Sequence, residues 1–142
     1  MLTAIQHGNV QKVAFLAHIG INPNSDALLI GGFIHCAAAR GQVQVMAKLQ
    51  ELGANVNRLD EYGATPAHVA VICGQVSSLS WLLAHGANPS IKNRDGYTVP
   101  ECITNQMGMA ESLRNELLSV VKAAPNQNSG TNDEQLPRSQ AN

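Results

Sequence analysis

The chain has 142 residues, 44% apolar and only 13% charged, with a formal net charge of −1. That length supports one domain with a real core, and the near-neutral balance argues against direct binding to nucleic acid or anionic lipid, which calls for basic patches. No segment reaches the roughly 18 consecutive apolar residues that span a bilayer. The opening Met-Leu-Thr-Ala-Ile-Gln-His-Gly lacks the charged and apolar regions of a secretory leader. An intracellular protein, cytoplasmic or nuclear, is expected. The three cysteines, Cys36, Cys73 and Cys102, are odd in number and form no CxxC pair, so neither a disulfide framework nor a structural zinc site is expected.

The chain is periodic. Gly8, Gly41 and Gly74 are 33 residues apart, and Gly20, Gly53 and Gly86 keep the same step, as do Asn22, Asn55 and Asn88 and Leu16, Leu49 and Leu82. Four series in phase define an internal repeat, a unit that buries its apolar face by stacking on copies of itself. In the first unit, about residues 1–26, Met1 to His7 supply most of an inner helix, and Val10, Val13 and Leu16 mark an outer one. This unit starts inside the repeat, and its uncapped apolar face is a candidate surface for self-association. In the second, about 27–59, the opening Leu28-Leu29-Ile30-Gly31-Gly32-Phe33 has no Thr-Pro cap and leaves Leu28 and Leu29 for the surface.

The third unit, about 60–92, is the most regular. Asp60-Glu61-Tyr62-Gly63 reads as a turn. Thr65 is placed as an N-cap with Pro66 at the first helical position. A short helix is predicted from Pro66 to about Cys73, with Gly74 as its C′ glycine. A second, from about Val76 to Ala84, places Val76, Leu79, Leu82 and Leu83 on one face. Asp60-Glu61-Tyr62-Gly63-Ala64-Thr65-Pro66-Ala67-His68-Val69-Ala70 resembles the opening of an ankyrin repeat, D-x-x-G-x-T-P-L-H-x-A, and Leu82-Leu83-Ala84-His85-Gly86-Ala87 resembles its end. The fold implied is an all-α solenoid of about three to four stacked helix-turn-helix units with hairpin loops, over residues 1–124.

In the fourth unit, about 93–124, Thr98-Val99-Pro100-Glu101 has the spacing of a capping box. Met107-Gly108 suggests a glycine slipped by one residue, and a last helix is expected over about Met109 to Val121. Residues 125–142 are almost wholly polar and are expected to be a disordered tail.

The resemblance implies a non-catalytic module that binds a protein partner, with no cofactor or metal, and no membrane insertion. The expected role, inferred from the fold, is an intracellular adaptor or regulator. The alternatives are a stoichiometric inhibitor of ankyrin type, as for cyclin-dependent kinases, or a truncated subunit of a larger protein. The family's contact surface, carried onto this chain, comprises Glu61, Tyr62, Ala64, Ile72 and Cys73 in the third unit. In the fourth it comprises Arg94, Asp95, Tyr97, Asn105 and Gln106, and in the second Leu28, Leu29, Gly31, Ala39 and Arg40. Tyrosine and arginine are favoured at interface hot spots. His35 and His68 fall at equivalent positions, where the resemblance implies hydrogen bonds to the cap and loop of their own or the adjacent unit. Cys73 is the best placed thiol for reactivity. Asn57 is a modification candidate, because its setting resembles that of ankyrin asparagines that are hydroxylated; a plain turn role, which needs no modification, is the preferred account.

Overall fold

The structure is a computed structural model that describes residues 4–5, 7–18, 20 and 32–124. Its helices are α1 (Val10–His18), α2 (Phe33–Ala39), α3 (Val43–Glu51), α4 (Pro66–Ile72), α5 (Val76–Ala84), α6 (Val99–Asn105) and α7 (Glu111–Ala123). They form two rows. The inner row is α2, α4 and α6, with α4 packed between the other two; the outer row runs α1, α3, α5, α7, each against the next. Each inner helix also packs on the outer helix that follows it. Ala4 and Ile5 are helical and buried at the start of the stack.

Local chemistry sets the helix ends. Thr65 is extended and its hydroxyl accepts the His68 N–H, while Pro66 occupies the first turn, where a missing N–H costs nothing. The Thr98 hydroxyl likewise accepts the Glu101 N–H, and the Glu101 carboxylate takes the Thr98 N–H at 2.8 Å, completing the capping box. Gly41 and Gly74 turn the chain from inner to outer helix at φ 70° and 67°, a conformation glycine reaches without a Cβ penalty. Gly108 does the same at φ 81°, one residue later than the period places it. The extra residue, Met107, is displaced into solvent and is 93% exposed.

The last helix differs from expectation by two residues at each end. It begins at Glu111 because Ala110, the N-cap residue, is still extended and offers no capping side chain. It continues to Ala123 and stops just short of Pro125, as the restriction on residues before proline requires.

The core lies between the rows. Ile34, Met46 and Leu49 fill it in the second unit, Leu79, Leu82 and Leu83 in the third, and Ile103 and Leu117 in the fourth, each essentially without exposure. Burying one such side chain contributes about 1.5–3 kcal/mol. Cys36 is part of this core, and Trp81 packs against it from the outer row.

Polar bridges tie the units together. His35 Nε2 lies 3.0 Å from the Ala64 carbonyl and His68 Nε2 lies 2.9 Å from the Tyr97 carbonyl, so each imidazole reaches the hairpin of the following unit. Asn57 Nδ2 donates to the Gly86 carbonyl, and its Oδ1 accepts the Asn88 N–H. The buried Ser78 hydroxyl donates to the Ala38 carbonyl at 2.8 Å. The expected inner helix of the first unit, the Leu28–Leu29 opening and the 125–142 tail lie wholly or mostly outside the described residues.

Candidate functional site: hairpin tips and inner-helix ends

Two hairpin tips are built on the same plan. Asp60 Oδ1 accepts the N–H groups of Tyr62 and Ala64, at 2.9 and 2.8 Å. Asn93 Oδ1 accepts those of Asp95 and Tyr97, both at 3.0 Å. A short polar side chain that bonds the backbone two and four residues on is what fixes such a turn. The tips are joined: the Arg94 N–H donates to the Tyr62 carbonyl at 3.0 Å. One backbone contact therefore sets the spacing between the side chains the two tips present.

Among the expected contact residues, Glu61, Tyr62, Arg94, Asp95 and Tyr97 are exposed on these tips, with Tyr62 at 62% and Tyr97 at 43%. Ala64 does not belong with them. It is 5% exposed, with its carbonyl held by His35 of the preceding unit and its N–H by Asp60. Tyr97 occupies the equivalent register position and stays exposed.

At the other edge of the inner row, Arg40, Ile72, Cys73 and Asn105 are exposed, Ile72 at 56%, while Ala39 and Gln106 are half-buried. Gln106 Nε2 donates to the Ile72 carbonyl, linking the ends of α4 and α6. Leu28, Leu29 and Gly31 lie outside the described residues. Three exposed apolar residues lie outside the expected contact set: Met107, Leu59 just before the third-unit tip, and Phe15 on α1. The one-residue slip at Gly108 was the signal for Met107. Leu59 carried none, since an isolated leucine before a turn reads equally as core.

The electrostatics distinguish the thiols and imidazoles. Burial pushes the Cys36 thiol up to about 11. Burial also raises Cys102, helped by the charges of Glu101 and Asp95. Neither is a nucleophile at neutral pH. Cys73 is free and exposed. Burial lowers both His35 and His68 against hydrogen bonds that favour the charged form. The Thr98 N–H and hydroxyl hold the exposed Glu101 carboxyl below the usual range. On the outer row, His85 stacks on Trp81 with ring centroids 4.1 Å apart, and its Nδ1–H donates to the Trp81 carbonyl at 2.8 Å.

Asn57 is half-buried, and both ends of its amide are committed to the next unit. Among the described residues no helix is long and apolar enough to cross a membrane, and no group of three or more His, Cys, Asp or Glu could hold a metal ion.

Stacked helix pairs joined by bridging hairpins, with side chains presented from tips and inner-helix ends, define a helical repeat solenoid of the interaction-module class. The sequence profile for ankyrin repeats, in three copies, matches residues 1–93. The chain belongs to the ankyrin-repeat family. No curated protein matches it significantly.

Proposed function

We propose that this chain is an intracellular, non-catalytic adaptor or regulator that presents a rigid face to a protein partner. Tyr62, Arg94, Asp95 and Tyr97 contribute from the tips, with Glu61 at the rim; Ile72, Cys73 and Arg40 contribute from the inner-helix ends. The observation that supports this reading is that Tyr62, Ile72 and Tyr97, three of the six exposed large apolar residues among the described ones, fall on the tips and inner-helix ends. Apolar groups at those places have no core to fill, and aromatic side chains dominate the energetics of protein interfaces. A preorganised stack loses little conformational entropy on binding.

The test is affinity capture from native lysate with the wild-type chain and the Tyr62→Ala/Tyr97→Ala double variant, both matched in helical circular dichroism. A protein held by the wild type and lost by the variant is the expected outcome. A specific partner retained equally by both moves the site off the tips.

A further inference from the structure

The two buried imidazoles use both ring nitrogens, and the geometry fixes their protonation. His68 Nε2 faces the Tyr97 carbonyl, so it must carry a proton and donate. His68 Nδ1 faces the Thr65 N–H at 3.2 Å and the Thr65 hydroxyl at 2.9 Å, so it must be bare and accept. His35 repeats the pattern, with Nδ1 accepting the Gly32 N–H at 3.2 Å and Nε2 donating to the Ala64 carbonyl. A second proton on either ring would set N–H against N–H at the cap, inside a buried cluster. The carbonyls these rings hold belong to the two tips that carry Tyr62 and Tyr97. The fourth unit has Glu101 in place of the histidine, and its carboxylate is engaged by Thr98.

We propose that His35 and His68 act as a proton-sensitive latch on the hairpin tips: a proton on Nδ1 sets N–H against N–H at the cap and drives the ring from its buried site, and as the ring leaves, its Nε2–H lets go of the Ala64 or Tyr97 carbonyl, so the tips loosen while the helices remain packed. The charged groups that act on the rings are few. Asp60, from the third-unit tip, favours the charged form of both, and Arg58 opposes it at His35. From the fourth unit, Glu101 on α6 is committed to its own cap, and Arg94 and Asp95 point their exposed side chains to solvent. Burial dominates both rings and keeps them neutral at neutral pH. Acidification therefore acts on the tips, and control of partner binding follows if the tips are the binding face proposed above.

The experiment is a nuclear magnetic resonance titration of the full chain, without partner, from pH 7.5 to 5.0. It follows the imidazole nitrogens of His35 and His68 together with hydrogen-exchange protection of the Arg94, Ala64 and Tyr97 amides, corrected for intrinsic rates. The expected result is a bare Nδ1 on both rings at pH 7.5, and protection at the tips that falls as the rings charge. The fall is about tenfold for each unit by which the closed-state pKa lies below the open-state one. Amides within α4 and α5 should keep their protection. In His68→Gln, which can bridge but cannot titrate, the Tyr97 amide should lose its pH response while Ala64 keeps it. Rings that charge with no change at the tips overturn the proposal. So does loss of tip and helix protection together, which is global melting. Because no partner is present, these outcomes are independent of the capture experiment that tests the binding face.

Discussion

Gly63 is the glycine whose replacement does the most damage near the candidate site. It has φ 68°, and a Cβ there would lie 3.0 Å from the Arg94 backbone nitrogen, at the junction of the two tips. Gly53 has φ 99° with open space around it. Both alanine variants should incur about 1–2 kcal/mol for the left-handed conformation. Gly63→Ala should cost about 1 kcal/mol more, because backbone cannot move aside as a flexible side chain can. Urea unfolding of the two variants checks the difference; equal midpoints would mean the tips are not held as described. Asn57 supports a second prediction at this scale. Asn57→Ala removes two hydrogen bonds between successive loops, and about 1–2 kcal/mol of stability should go with them. The residue scale is also where sequence reading was weakest. Ala64 and Tyr97 share a register position, yet one is buried and the other exposed. Period fixes the position of a side chain within its unit; its exposure depends on whether another unit covers it.

At the scale of the helix, capping chemistry made much of the fold legible. Thr65-Pro66 and Thr98-Val99-Pro100-Glu101 located α4 and α6, and the apolar spacing of Val76, Leu79, Leu82 and Leu83 located α5 from Val76 to Ala84. α7 was displaced because an alanine N-cap carries no signal. The same caps make stability depend on pH. Both histidines are held below their ordinary pKa, so between the folded and unfolded values the unfolded chain binds more protons. Their contribution is complete above about pH 6.5, the unfolded value, and is lost as pH falls through that window. Glu101 is also lowered, so its contribution is present above the ordinary carboxylate range and disappears only as pH falls through its own folded value. Urea midpoints between pH 7.5 and 3 should therefore decline in two stages, histidines first. His68→Gln should flatten the first stage and Glu101→Gln the second. A single decline confined to the carboxylate range would contradict the histidine assignment. Thr65→Ala should cost about 1–2 kcal/mol and Thr98→Ala no more, since Thr65 is fully buried and Thr98 only partly so.

The whole molecule behaves as a row of units coupled to their neighbours, so the position of a lost contact matters as much as its size. The third unit lies in the interior of the stack. Leu79, Leu82 and Leu83 are fully buried there, α4 touches inner helices on both sides, and α5 touches outer helices on both sides. The fourth unit has one described neighbour. Its fully buried large side chains are Ile103 and Leu117, and the Arg114 guanidinium secures α7 to the end of α6 through the Ile103 and Gln106 carbonyls. At its far face Glu101 stands where His35 and His68 reach the next hairpin, and a carboxylate cannot donate to a carbonyl. The bridge that couples the earlier units therefore has no continuation beyond α6. Two substitutions separate the consequences. Leu82→Ala opens a cavity in the interior unit, where Leu82 is fully buried, and should lower the stability of the whole stack by about 3–4 kcal/mol, within the range for leucine truncation in a tight core. Leu117→Ala should cost about 2–3 kcal/mol and act locally, because only the fourth unit loses its anchor. Hydrogen exchange distinguishes them. In Leu117→Ala the α6 and α7 amides should exchange faster while those of α4 and α5 keep wild-type protection. In Leu82→Ala all four helices should lose protection together. If Leu117→Ala also weakens α4 and α5 equally, the units are coupled too strongly for the last to open alone, and the tip carrying Tyr97 is as firmly held as the one carrying Tyr62.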